Sequence, residues 1–132
     1  MTFELTILTL TAILAASLWI PYIVGLNSTE FVSPSENRPH DVAGTVPWVH
    51  RAWRAHLNLI EQFVPFAVVI VVAHLAGVSN AVTVWASGLF LALRIAHAGW
   101  MIGGFKVVPV RPLIFTGAWL CILAIAIAVL WG

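Results

Sequence analysis

Four long apolar segments, separated by polar residues, dominate the pattern of hydrophobic and polar positions along the chain. They run from Leu5 to Leu26, from Pro47 to Ala76, from Asn80 to Gly103 and from Pro109 to Trp131. At about 1.5 Å per residue, each can cross a hydrocarbon core of about 30 Å as a helix. The second is about ten residues longer than the core requires, so its first turns should project beyond the core or tilt.

Local signals mark the ends of these segments. Pro47 suits the first turn of a helix, Gly77 a helix stop and Asn80 an N-cap. The first segment is predicted as one continuous helix with Pro21 in its last turn. No Lys or Arg precedes that segment, Glu4 has the opposite charge, and the run is too long for a cleaved signal peptide, so we expect a retained helix.

Composition makes lipid the solvent of these helices. Hydrophobic residues make up 61% of the 132 residues, charged residues only 8%, and the mean hydropathy is +1.02. A soluble domain carries roughly 25% charged residues. The fold prediction is an all-α integral membrane protein, a four-transmembrane-helix bundle that forms one domain over residues 1–132. The net charge of +1, without a Lys/Arg run, gives no support to nucleic-acid binding, and the single cysteine, Cys121, excludes an intrachain disulfide.

Basic residues predict the orientation of the bundle. They cluster at the first and third connections, and the two termini and the Val78–Ser79 link have none. The cluster comprises Arg38, Arg51, Arg54, Lys106 and Arg111. Since cytoplasmic loops carry the excess of Lys and Arg, the first and third loops should be cytoplasmic.

The second segment carries a polar stripe. At about 100° per residue its members fall within an arc of about 100°. They are Arg51, Arg54, Asn58, Glu61, Gln62 and Pro65. A central arginine costs at least about 2.5–3.5 kcal/mol on insertion scales, so the stripe should face a bundle interior or a wet cavity. Two alternatives remain open: anchoring of the arginines at the membrane interface, and a structural Arg54–Glu61 or Asn58–backbone network.

The third and fourth segments add polar groups toward the same membrane face. Arg94, His97 and Met101 share one helix face, and Arg111 opens the fourth segment. An ion pair between Arg94 and Glu61 could lock two helices together, and Arg111 could be a simple interfacial anchor. A cationic, partly buried pocket between these helices would suit a small anionic ligand.

At these residues the sequence resembles the MAPEG family, the membrane-associated proteins of eicosanoid and glutathione metabolism. The second-helix pattern Arg51-x-x-Arg54-Ala55-His56-x-Asn58-x-x-Glu61-x-x-x-Pro65-Phe66 is the most specific part of the resemblance. Arg94-x-x-His97 resembles the third-helix motif of the family, and Pro109-Val110-Arg111 resembles the segment with its thiolate-stabilising arginine. Ser33-Pro34 in the first loop also fits the family pattern. The resemblance covers the whole chain and is closest to prokaryotic-type members.

The resemblance implies a homotrimer with glutathione as co-substrate, bound between subunits near the cytoplasmic face of a bacterial inner membrane. Arg51, Arg54, Asn58 and Glu61 would bind glutathione, Arg94 and His97 would line its site, and Arg111 would hold the thiolate. No metal site is implied. The acceptor would be a lipophilic electrophile or hydroperoxide that enters from the membrane lipids.

The chain departs from the family pattern at two places. The end of the first segment, Gly25 to Thr29, lacks the arginine of many glutathione-binding members, and Met101 stands where many have a tyrosine. The alternative function is therefore a non-catalytic lipid-binding or scaffold protein on the same fold. A membrane haem protein, using His56, His74 or His97, is a weaker alternative because histidines in helices are more often structural.

Overall fold

The computed structural model describes residues 1–28 and 46–132, and the predicted first loop with Arg38 and Ser33-Pro34 lies outside them. The described residues form five helices. These are α1 (Phe3–Ser17), α2 (Ile20–Ser28), α3 (Pro47–Leu75), α4 (Ala81–Gly103) and α5 (Val110–Trp131). Helices α1 and α2 together form one span, Phe3–Ser28, and α3, α4 and α5 form three more. The prediction of an all-helical, multi-pass membrane protein with four spans is confirmed.

The first span is broken, which corrects the prediction of one continuous helix. Helix α1 ends at Ser17, and α2 begins at Ile20, so Pro21 lies in the first turn of α2 and not in the last turn of a longer helix. The proline ring has no N–H to donate to the Ser17 carbonyl and clashes with it. The break therefore follows from Pro21 itself.

The other helix ends follow their local signals. Pro47 occupies the first turn of α3, and Gly77 adopts a φ of 69° just after that helix. The Asn80 side chain accepts from the Thr83 N–H at 3.2 Å, and the Thr83 hydroxyl accepts from the Asn80 N–H at 3.0 Å. This reciprocal capping box confirms Asn80 as the N-cap of α4. Gly104, with a φ of 71°, ends α4 in the left-handed conformation that glycine adopts most easily.

Apolar packing holds the spans together around α3, which contacts each of the other four helices. In the main core the rings of Phe66 and Phe90 stack at 3.9 Å and 9°, and Ile122 and Ile125 of α5 close the layer. Many large apolar side chains on the outer faces, such as Leu89 and Leu120, remain exposed. Such exposure suits lipid, because hydrocarbon is as apolar as these side chains.

Helix α3 is also long. Its 29 residues span about 43 Å, more than the hydrocarbon core, so some turns must tilt or extend beyond it. The N-terminal half of α3 carries the polar stripe and packs beside the C-terminal end of α4 and the N-terminal end of α5. We call this end of the molecule the basic end.

Candidate functional site

A cavity of about 420 Å³ opens at the basic end between α3, α4 and α5. We call it the arginine cavity. Its lining comprises Asn58, His97, Arg111, Pro112, Phe115 and Thr116. A volume of this size lies within the range of about 300–1,000 Å³ typical of small-molecule sites. Three of the residues predicted for the site therefore share one cavity.

Arg94 lies immediately behind the cavity wall and is only 1% exposed. Its guanidinium donates to Oε1 of Gln62 at 3.1 Å, and a second nitrogen lies 3.5 Å from Nδ1 of His97. The Phe115 ring lies 5.8 Å from the same guanidinium. The Arg94 side chain thus lies between α3 and α5 and does not reach the open cavity.

Arg94 and Glu61 form no direct ion pair in the described part of the chain. The acceptor is Gln62, the next residue along α3, whose Nε2 also donates to the Phe115 carbonyl at 3.1 Å. Glu61 is exposed and lies about 100° around α3 from Gln62. The amide can accept from α4 and donate to α5 at the same time, which an ionised carboxylate cannot do.

Gln62 and Phe115 are the residues that the sequence reasoning undervalued. The sequence pattern places Gln62 in the polar stripe but does not indicate that its side chain joins three helices at the site. Phe115 is absent from the residues predicted for the site, yet it lies one helical turn after Arg111 and therefore on the same face of α5. That spacing was the available signal.

Two buried polar atoms beside the cavity have no hydrogen-bond partner within residues 1–28 and 46–132. They are Nε2 of His97 and Nε of Arg94. His97 is 1% exposed and lines the cavity, and its ring lies 6.0 Å from that of Phe115. An unpaired buried polar atom costs about 1–3 kcal/mol, so a ligand group that bonds to Nε2 would be stabilised here.

Arg111, at the second position of α5, is exposed and reaches two neighbouring spaces. It lines the arginine cavity and also a smaller cavity of about 190 Å³ together with Arg51 and Lys106. Nε of Arg51 donates to the Met101 carbonyl at 3.1 Å. Three cations therefore surround adjoining openings at the basic end, which favours an anionic ligand.

The polar stripe of α3 divides into two sides. Asn58 and Gln62 are buried, and Arg51 bonds to α4, so one side faces inward. Arg54 is half-buried, Glu61 is exposed, and neither lines the arginine cavity. The hypothetical Arg54–Glu61 ion pair does not form in the described part of the chain. Arg54 and Glu61 are thus left on the outward side of α3.

The histidines of the haem alternative are dispersed. His56 packs beside Tyr22 at 6.0 Å, and His97 lies in the arginine cavity. His74 is 18 positions from His56 on the same helix, about 27 Å away. His56 and His74 therefore cannot serve one iron together.

Comparison with known protein families identifies a match over almost the whole chain. The model of the MAPEG family matches residues 6–131 of the 132-residue chain. A search of curated proteins finds no significant match to the chain. The family match covers most of the first span, all of the other three spans and every residue of the site described above.

Proposed function

Because this chain belongs to the MAPEG family, we propose that it is a glutathione-dependent transferase or peroxidase that acts on lipophilic electrophiles or hydroperoxides. Family membership itself makes it a membrane protein related to glutathione or eicosanoid metabolism. The observation that carries the finer proposal is the arginine cavity, where Arg111 faces an open space beside the unpartnered Nε2 of buried His97. Residues 1–132 would then act as one four-helix domain.

The cavity suits glutathione in charge and polarity. Glutathione is a tripeptide that is anionic at neutral pH, with two carboxylates, amides and one thiol. Asn58 can bond to an amide, and His97 offers a free ring nitrogen. Arg94, held by Gln62 and Phe115, adds a fixed positive charge behind the wall. Arg51 stands beside the adjoining opening, where a carboxylate of the ligand can reach it.

Arg111 would act on the sulfur. A thiol with a pKa of about 8.5 is mostly protonated at neutral pH, and only the thiolate attacks. A guanidinium stays charged and donates several hydrogen bonds, so it stabilises the anion without losing its own proton. The thiolate sulfur then attacks an electrophilic carbon, which expels its leaving group or, in a conjugated acceptor, takes up a proton at the neighbouring carbon. With a hydroperoxide the sulfur attacks the terminal oxygen, the O–O bond breaks, and the alkoxide takes up a proton and leaves as an alcohol. The glutathione sulfenic acid that forms reacts with a second glutathione to give the disulfide and water.

The outward side of α3 supports a homotrimer as the working form. Arg54 and Glu61 lie on that side within a membrane span, where uncompensated charges are costly. A neighbouring subunit would cover them and let Arg54 and Glu61 contribute to glutathione binding at the subunit boundary. The need for a partner rests on these two side chains, and the number three rests on the family resemblance.

The location follows from the same end of the bundle. Arg51, Arg54, Lys106 and Arg111 all lie there, so we place the basic end and the site at the cytoplasmic face of a bacterial inner membrane. Electrophiles and hydroperoxides dissolved in the lipid could then meet glutathione delivered from the cytoplasm.

A non-catalytic lipid-binding or scaffold role is the second candidate. Two observations favour it. Residues Gly25–Ser28 at the end of α2 contain no arginine, and the position where many family members have a tyrosine hydroxyl is occupied by the apolar, buried side chain of Met101. Both remove groups that could hold glutathione. The retained Arg111 at the cavity opposes this alternative.

Calorimetric titration of the detergent-solubilised protein with reduced glutathione tests the proposal. Saturable binding is expected, together with an ultraviolet thiolate band at neutral pH. S-methylglutathione is the matched control ligand, since it should bind without giving the band. Absence of both binding and thiolate formation would reject the glutathione proposal in favour of lipid binding.

A further inference from the structure

A second polar cavity lies at the end of the bundle opposite the arginine cavity. It has a volume of about 200 Å³ and is lined by residues of α1, α3 and the link between α3 and α4. Its polar members are Thr2, Glu4, His74 and Ser79. We call it the Glu4 cavity. The glutathione proposal uses none of these residues.

Glu4 is a buried carboxylate with one engaged and one free oxygen. The side chain is 5% exposed. Its Oε1 accepts from the Thr83 hydroxyl at 2.7 Å and from the Ser79 hydroxyl at 2.8 Å. Its Oε2 is buried and has no hydrogen-bond partner among the described residues. The remaining hydrogen-bonding capacity of this carboxylate therefore lies on Oε2.

The surroundings favour a negative charge at Glu4. Glu4 lies in the first turn of α1 and bonds to Thr83 in the first turn of α4, so the positive ends of two helix dipoles meet there. The described chain places no Lys or Arg side chain in the lining of this cavity. A primary ammonium that pairs with Oε2 would therefore come from outside the described residues.

The size and position of the cavity restrict that donor. A volume of about 200 Å³ equals the share of roughly seven liquid water molecules, enough for an ammonium on a short carbon chain. The first residues of α1, the last turn of α3 and the start of α4 meet here, at the ends of three spans, where phospholipid headgroups lie. His74 lies in the lining and can bond to a phosphate oxygen.

From these observations we infer that the Glu4 cavity binds a primary ammonium group, supplied by the headgroup of an aminophospholipid such as phosphatidylethanolamine. The ammonium donates to Oε2 of Glu4, while the headgroup phosphate lies toward His74. The trimethylammonium of phosphatidylcholine has no N–H to donate, so it leaves Oε2 unpaired. The site therefore discriminates between two lipids that have the same acyl chains and the same phosphate.

Native mass spectrometry of the protein in detergent micelles tests this inference. The micelles contain equal amounts of phosphatidylethanolamine and phosphatidylcholine with identical acyl chains. We expect a preference of about tenfold for the primary amine, as one charge-assisted hydrogen bond implies. Equal occupancy by the two lipids would overturn the inference. This comparison uses the wild-type protein and needs no variant.

The variant Glu4→Gln tests whether the Glu4 side chain itself selects the lipid. Its carbonyl oxygen can still accept from Thr83 and Ser79, but its NH2 group stands where Oε2 was and repels an ammonium. The preference should vanish, whereas Glu61→Gln, which alters the carboxylate at the basic end, should keep it. A preference that survives Glu4→Gln would refute the assignment.

Free ethanolamine identifies the source of the ammonium. If ethanolamine at low millimolar concentration fails to displace bound phosphatidylethanolamine, the site recognises the headgroup of a lipid. If it displaces the lipid, the ammonium chemistry holds but the free amine becomes the preferred ligand. The result is independent of glutathione binding at the other end of the bundle.

Discussion

Replacing Arg111 by alanine removes a guanidinium from the wall of the arginine cavity while leaving its other walls in place. Arg111 is exposed at the second position of α5, and no carboxylate of the described chain pairs with it. Substitutions at such positions usually change stability by less than about 0.5 kcal/mol. The fold and the oligomer should therefore survive, and glutathione should still bind through Asn58, His97 and the charge of Arg94.

The exposure of Arg111 sets how strongly its charge can lower the pKa of the glutathione thiol. Two unit charges 4 Å apart interact by about 1 kcal/mol in water and about 4 kcal/mol near a protein surface with an effective dielectric constant of about 20. An open cavity lies between these limits, so we expect about 2.7 kcal/mol, which equals two pKa units. A thiol pKa of about 8.5 would fall to about 6.5, and the thiolate fraction at pH 7 would rise from about 3% to about 75%.

The assay compares conjugation of glutathione to a lipophilic electrophile by the wild-type protein and by Arg111→Ala across a range of pH. The folded-site pKa of the thiol is lowered by Arg111, so the advantage of the wild-type protein is present below the free-thiol pKa. At pH 7 the variant should be about 25-fold slower, and the two rates should converge above about pH 9.5, where both thiols are ionised. The ultraviolet thiolate band should likewise appear at a higher pH in the variant than in the wild-type protein.

Two further variants sharpen the comparison. Arg111→Lys should keep part of the rate, because an ammonium supplies the charge without the planar fork of donors. Lys106→Ala removes a cation from the same end of the bundle but not from the arginine cavity, and it should retain the rate at neutral pH. If Arg111→Ala matches the wild-type rate at pH 7, or its deficit does not shrink as pH rises, the thiolate role of Arg111 is wrong.

Three other outcomes are expected. Gln62→Leu leaves buried Arg94 without its acceptor and the Phe115 carbonyl without its donor, so thermal unfolding should show a loss of about 3 kcal/mol, whereas Val64→Ala on the exposed side of α3 should cost far less. Native mass spectrometry in mild detergent should show a trimer, and a monomer alone would contradict the role given to the outward side of α3. A cysteine introduced as Ser35→Cys should resist an impermeant thiol reagent in intact cells, and labelling without lysis would reverse the predicted topology.

The helices themselves could be predicted from the sequence because their causes are local. A continuous apolar run of sufficient length needs lipid whatever its neighbours are. Asn80 marks a helix start through bonds to residues two and three positions later, and Gly77 marks a helix end through its positive φ. The break before α2 has a local cause too. Pro21 cannot bond to the Ser17 carbonyl, so the sequence itself carries the signal for this break.

The partners of the polar side chains required the tertiary structure. Periodicity places Glu61 and Gln62 at opposite edges of one arc of about 100° on α3, but it does not say which edge faces α4. Packing turns the Gln62 edge inward, toward Arg94 and Phe115, and leaves Glu61 outside.

Glu4 shows the same division between local and long-range causes. Its charge was evident in the sequence, yet the hydroxyls that bind it come from Ser79 and Thr83, more than 70 positions away. The sequence by itself determined which segments are helices in lipid and which faces are polar. Only the tertiary structure decided which polar groups meet, because the rotation of each helix about its axis is set by contacts with the other helices and not by its own residues.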